Sequence, residues 1–254
     1  MKIQLCGHVA IEVGGKRLEN QLPGRQGRLL LVYMAAHRAK PLSRDELIDA
    51  IWADEPPPAA HVALRALLSK VRRVLGDSPF DGSDPVRVLL PGAWIDLEAA
   101  RDAIHRAESA IALHEWARAW SASQIALFTA RRGFLPGEDS AWVDEIRRLL
   151  GDLHVRALEC YVEASLGVGG TEIATARRAA RELVSLAPFR ESAYRLLMEA
   201  FVAEENPAEA LRVYERLRRL LSEELGTYPS AETRLLHERI LRAAPRDGGP
   251  RSAM

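Results

Sequence analysis

Residues 56–76 read Pro-Pro-Pro-Ala-Ala-His-Val-Ala-Leu-Arg-Ala-Leu-Leu-Ser-Lys-Val-Arg-Arg-Val-Leu-Gly. The triple proline cannot continue a helix but can introduce one, and Gly76 is a good C-cap, so residues 59–75 are expected to be helical. On a helical wheel Leu64, Leu67, Leu68, Val71 and Leu75 share one apolar sector, which must face a core. The opposite side carries Val62, Arg65, Ala66, Ser69 and Arg73, with Lys70 and Arg72 on its borders. The stretch holds four cations and no acid, although the whole chain balances 35 basic against 35 acidic side chains.

Working outward, Gln26 to His37 is apolar and helical in composition, with Leu29, Leu30, Tyr33 and Met34 on one stripe. Pro41 ends it. Ser43 then caps a second helix, Glu46 completes a capping box, and Leu47, Ile48, Ile51 and Trp52 form the buried side. Upstream, Ile3 and Leu5, then Val9, Ile11 and Val13, alternate with polar neighbours around a Gly14-Gly15 turn, the pattern of a small antiparallel sheet. Downstream, residues 77–85 read as a loop, followed by a β-hairpin formed by Val86–Leu90 and Trp94–Leu97 around Pro91-Gly92. Strands, three helices and a hairpin make a winged helix-turn-helix.

From Glu98 the pattern is helical without strands, with helices expected near 98–112, 114–130, 140–166, 171–187, 190–205, 207–224 and 230–242. Aligning Ala176, Ala180 and Leu183 with Val213, Leu217 and Leu220 gives a spacing of about 36 residues, near the roughly 34 of tetratricopeptide repeats. The expected architecture is therefore mainly α with a small β part. It has a winged helix over residues 1–97, an all-α helical-repeat domain over 98–243 and a tail, disordered by composition, over 244–254.

The 254 residues, 48% of them hydrophobic and 28% charged, describe a soluble globular chain without net charge. No window is apolar enough for a membrane span and the N-terminus does not read as a secretory signal, so a cytoplasmic protein without membrane contact is expected. Cys6 and Cys160 are too isolated for a disulfide framework or a thiolate zinc site. None of the four lysines sits in a phosphate-binding Gly-rich loop, and the seven histidines form no His-Glu-x-x-His. No nucleophile has a base at a useful spacing. The reading is a non-enzyme with no cofactor, metal or catalytic residue.

The segment at 59–75 suits a DNA major groove. Arginine can bridge the O6 and N7 acceptors of guanine or pin a phosphate, a serine hydroxyl can bond a phosphate, and Val62 or Ala66 can meet a thymine methyl group. The expected DNA-binding residues are Arg65, Ser69, Lys70, Arg72 and Arg73, with Arg87 on the wing and Arg28 and Arg44 near the starts of the first two helices; Arg25 could neutralise a further phosphate. A cationic helix face that is merely solvated is the plain alternative. The missing acids and the third place in the array favour DNA.

Three segments together carry a family resemblance: Leu42-Ser-Arg-Asp-Glu-Leu-Ile-Asp-Ala-Ile-Trp52, Leu68-Ser-Lys-Val-Arg-Arg-Val-Leu-Gly76 and Ala210-Leu-Arg-Val-Tyr-Glu-Arg-Leu-Arg-Arg-Leu-Leu-Ser-Glu-Glu-Leu-Gly226. With Glu55-Pro-Pro-Pro-Ala59 and Pro229-Ser-Ala-Glu-Thr-Arg234, they resemble the Streptomyces antibiotic regulatory protein family over about residues 2–242. The resemblance implies a response-regulator-type winged helix joined to a bacterial transcriptional activation domain, in a short form without receiver, ATPase or sensor region. Members bind direct repeats near promoters and help recruit RNA polymerase. Ser69, Lys70, Arg72 and Arg73 match the family's Ser-Arg/Lys-x-Arg-Arg segment, whereas Ala63, Arg65 and Leu67 replace its usual hydroxyl residue, glutamine and aromatic or histidine.

The function expected from these readings is sequence-specific DNA binding by a transcriptional regulator, an activator, acting at least as a homodimer on promoter repeats with RNA polymerase as partner. Two alternatives use the helical repeats instead: a protein–protein adaptor with vestigial DNA binding, or a regulator gated by a small effector in the repeat groove, near Trp116, Trp120 and Trp142.

Overall fold

The computed structural model describes residues 1–53, 55–76, 79–82 and 84–243, so the expected tail lies outside the described residues. The chain divides into two compact units. One contains residues 1–103 with 125–154, the other 104–124 with the described residues from 155 onward.

In the first unit, alternation at the N-terminus gives β1 (Lys2–Gln4), β2 (Ala10–Val13) and β3 (Lys16–Arg17). These pair antiparallel with Ile3 opposite Ile11, both fully buried. Three helices follow: α1 (Gly24–Ala36), α2 (Arg44–Trp52) and α3 (Ala60–Leu75). Helix α1 is buried on more than a stripe, with every residue from Leu29 to Ala35 inside. The Ser43 hydroxyl accepts the Glu46 N–H at 3.1 Å, as expected of an N-cap. The reciprocal half of the capping box is replaced. The Glu46 carboxylate accepts instead from the Tyr33 hydroxyl and from Lys40 Nζ, both at 2.7 Å, tying α2 to α1 and to the turn after it.

The hairpin differs from expectation. Strand β4 (Phe80–Asp81) lies in the stretch read as loop, and it is the antiparallel partner of β5 (Arg87–Val88). The segment Trp94–Ile95 is β6, which leaves the wing and pairs parallel with β1, Ile3 beside Ile95. The cause is burial. Ile95 is 2% exposed and completes the apolar face made by Ile3 and Ile11, which a two-stranded wing could not cover. The sheet order is β3-β2-β1-β6.

After this sheet come α4 (Asp96–Ala112), α5 (Trp116–Ala130) and the long α6 (Ala141–Val168). Parts of these helices belong to the first unit. The Trp142 indole packs on the winged-helix core, edge-on to Tyr33 at 5.1 Å between centroids, and its Nε1 donates to the Ala50 carbonyl at 3.0 Å. Asp96 is fully buried; its carboxylate accepts the Leu5 N–H at 2.8 Å and the Cys6 N–H at 3.1 Å, with Arg132 Nη2 at 3.6 Å. Burial pushes this carboxyl above its usual range even against those attractions. Cys6 and Cys160 are buried, and desolvation pushes both thiols up to about 12, leaving them as small apolar fillers.

The second unit continues with α7 (Glu172–Leu186), α8 (Glu191–Ala203), α9 (Pro207–Leu225) and α10 (Ala231–Ala243), consecutive helices packed on one another. The repeat reading holds for Ala176, Ala180 and Leu183 against Val213 and Leu217, all buried; at its end Leu220 is half-buried and Leu221 is the core residue. Of the tryptophans expected near a groove, Trp142 is in the first unit, and Trp120 packs on Ala110, Ala119 and Ala164.

Glu191, the first residue of α8, holds the start of α10. Its carboxylate accepts the Ser230 N–H at 2.9 Å, the Ser230 hydroxyl at 2.8 Å and the buried Thr233 hydroxyl at 2.6 Å. Burial alone would raise this carboxyl, but the Thr233 and Ser230 hydrogen bonds outweigh it and hold it below the ordinary range. A depressed carboxylate stabilises the fold above its unfolded value, and that contribution is lost as pH falls through the folded value. Glu191→Gln is expected to cost about 1–2 kcal/mol at neutral pH in urea unfolding. It should also flatten the acid limb of the stability profile; an unaltered acid limb would show that the charge of Glu191 does not matter.

Candidate nucleic-acid interface

The geometry starts from the phase of α3. Leu64, Leu67, Leu68, Val71 and Leu75 are its buried residues, the same five that share the apolar sector of the wheel. They pack against Leu30, Met34, Leu47 and Ile51 of α1 and α2. Their burial fixes what the other face shows: Arg65, Ala66, Ser69 and Arg73 are exposed, with Val62 at 64%. The first turn of α3 has no acid, and Arg72 and Arg73 stand in its last turn, where the helix dipole favours cations.

Among the described residues, Arg65, Ser69, Lys70 and Arg73 make no ion pair and no side-chain hydrogen bond. Their charges and hydroxyl are available to a ligand. Arg72 is used differently: its guanidinium lies over the Phe80 ring, 5.2 Å from the centroid, and Nη2 donates to the Phe80 carbonyl at 3.4 Å. It braces α3 against β4. Sequence reading missed this because the ring that takes Arg72 lies in the stretch read as loop.

Arg87 is exposed on β5, directly across from Asp81 in the hairpin register. Arg28 is exposed on α1. Arg44 is half-buried at the start of α2, and its backbone N–H donates to Asp84 Oδ1 at 3.2 Å. Arg25 departs from expectation: its guanidinium is bound to Glu138, with Nε 2.8 Å and Nη2 2.6 Å from Oε2, so it is already neutralised. The same contact takes up the carboxylate of Glu138. His61, unremarked in the sequence, stands at the start of α3 with Nε2 3.5 Å from Asp45 Oδ1.

Of the three positions that depart from the family pattern, Leu67 is 7% exposed and belongs to the core, so it cannot read a base. Ala63 is half-buried, and Arg65 alone of the three projects outward. The arrangement can therefore offer two unpaired guanidinium groups, an ammonium and a hydroxyl along one helix face, the chemistry of phosphate and guanine recognition. Among the described residues no group of three His, Cys, Asp or Glu could hold a metal ion, and no helix is long and apolar enough to cross a membrane.

Comparison with known proteins matches residues 95–241 to the family described as bacterial transcriptional activator domain and residues 21–88 to transcriptional regulatory protein, C terminal. The regulatory protein AfsR of Streptomyces coelicolor is 34% identical over 248 residues, 96% of this chain and 24% of that protein. The transcriptional regulatory protein EmbR of Mycobacterium tuberculosis is 26% identical, covering 96% of this chain and 64% of its own length. The regulatory protein DnrI of Streptomyces peucetius is 29% identical over 78% of this chain and 77% of itself. The chain thus spans about a quarter of the length of AfsR. A solved structure of M. tuberculosis EmbR in complex with a low-affinity phosphopeptide superposes with a TM-score of 0.84 at 24% identity, over 97% of this chain and 66% of that one.

Proposed function

From a chain that belongs to the Streptomyces antibiotic regulatory protein family, carrying the transcriptional regulatory C-terminal domain and the bacterial transcriptional activator domain, we propose a DNA-binding activator of transcription. Its functional division lies near residue 97, between a winged helix that binds promoter direct repeats and a helical domain, 98–243, that meets RNA polymerase. It acts in the cytoplasm as at least a homodimer on DNA and performs no covalent chemistry.

One observation carries the reading: α3 buries Leu64, Leu67, Leu68, Val71 and Leu75 and leaves Arg65, Ser69, Lys70 and Arg73 outward and unpaired among the described residues. In the major groove these side chains fix register on phosphates and read base edges. Arg28, Arg44 and Arg87 supply flanking phosphate contacts, and Arg72 acts chiefly by holding the wing in place through Phe80. The helical groove described below favours a second role for the 98–243 domain, as a docking site for a protein partner.

The test is a fluorescence titration with sheared genomic DNA over a range of salt. Binding should weaken as salt rises, because condensed counterions are released from phosphates. Arg73→Ala is expected to lower affinity and to reduce the slope of log K against log salt by about one unit. An unchanged slope would remove Arg73 from the phosphate contacts, and salt-independent binding would leave the adaptor reading in its place.

A further inference from the structure

The second unit contains a groove of about 810 Å3 between α4, α6, α8 and α10, within the size range of ligand sites. Its walls are stapled by ion pairs between helices. Arg156 of α6 meets Glu108 of α4 at 2.6 Å, and Arg190, just before α8, meets Glu159 of α6 at 2.7 Å. Across the opposite wall Arg195 meets Glu232 at 3.1 Å and Arg239 meets Glu199 at 3.4 Å. Four acids and four arginines of the lining thus cancel in pairs.

One acid is left over. Glu163 of α6 also lines the groove and makes no hydrogen bond or ion pair among the described residues. Partial burial, then repulsion from Glu199 and Glu159, pushes its carboxyl above the usual range; His114, when protonated, is the one attraction acting on it. The groove therefore carries an unneutralised negative site. Beside it stand apolar walls from Ile111, Leu196 and Leu235, the last 65% exposed.

We infer that this groove docks a segment of a partner protein through a lysine or arginine side chain, whose charged head pairs with Glu163 while its methylene stem lies on Leu196 and Leu235. Charge complementarity selects a cation, since the other four acids of the lining are paired with arginines and Glu163 alone is left to meet the ligand's charge. The apolar walls select a cation on a hydrocarbon stem flanked by aliphatic neighbours. The inference is independent of the DNA-binding reading, because it concerns other residues and its test contains no DNA.

The test titrates the full chain, by calorimetry, with two acetylated and amidated pentapeptides: Ala-Leu-Lys-Leu-Ala and its counterpart with norleucine in place of lysine. The lysine peptide is expected to bind saturably and the norleucine peptide about tenfold more weakly or worse. Glu163→Gln should weaken the lysine peptide by a similar factor, leave the norleucine peptide unchanged and not lower the thermal midpoint, since the site it neutralises is unpaired. Leu235→Ser should weaken both peptides alike. Equal binding of the two peptides, equal binding by Glu163→Gln, or no saturation in the millimolar range would overturn the proposal. Cadaverine binding as tightly as the lysine peptide would overturn the protein side chain as occupant and leave a free amine in its place.

Discussion

Reversing two charges on α3, with Arg65→Glu and Arg73→Glu together, is expected to lower affinity for duplex DNA by more than about a hundredfold at low salt. Both side chains are exposed and neither has a partner among the described residues, so replacing them breaks no ion pair or hydrogen bond among those residues. The effect falls on the ligand. Two attractions are replaced by two repulsions, and the counterions that the arginines would release remain on the DNA. The fold should survive, because Leu64, Leu67, Leu68, Val71 and Leu75 are untouched and a glutamate near the C-terminus of a helix costs at most about 1 kcal/mol. Circular dichroism would confirm the folded state beside an anisotropy titration at 50 mM salt, a condition of choice. Affinity within about threefold of the parent would mean that this face does not meet DNA.

Asp96→Ala is expected to destabilise the first unit by about 3 kcal/mol or more, measured as the urea midpoint at constant slope. The carboxylate is fully buried and takes the N–H groups of both Leu5 and Cys6, which the substitution would leave without an acceptor. It would also strip Arg132 of its nearby counter-charge. Asp96→Asn keeps the shape but turns an amide toward N–H donors, so an intermediate loss is expected. The pH dependence has a definite sign. Because the folded carboxyl lies above its ordinary range, its contribution to stability is present at low pH and lost as pH rises through the folded value. That segment of the profile should vanish in Asp96→Ala. A loss below about 1 kcal/mol would show that water replaces the carboxylate without cost.

The helices were legible because helical period is a local property. The five buried residues of α3, the Ser43 cap and the ends of α7 to α10 follow from spacing and punctuation alone. The strands of the wing were not. Strand β4 is two residues long with one buried side chain, and nothing in Phe80-Asp81 names Val88-Arg87 as its partner. The parallel pairing of β6 with β1 joins ends of the winged helix that no local pattern connects. The site divides along the same line. Which residues of α3 point outward was readable from phase, whereas how their charges are spent was not. Arg72 turns to Phe80 and Arg25 to Glu138, 113 positions away, and both follow only from the tertiary arrangement.

The interleaving of the two units bears on any attempt to exchange domains. A chimaera joined after Leu97 would inherit Asp96 without the guanidinium of Arg132, and Tyr33 and Ala50 without the indole of Trp142. It would also lose the backbone rung between Gly7 and Gly133, 2.8 Å long. A transplanted winged helix must therefore bring residues 125–154 with it.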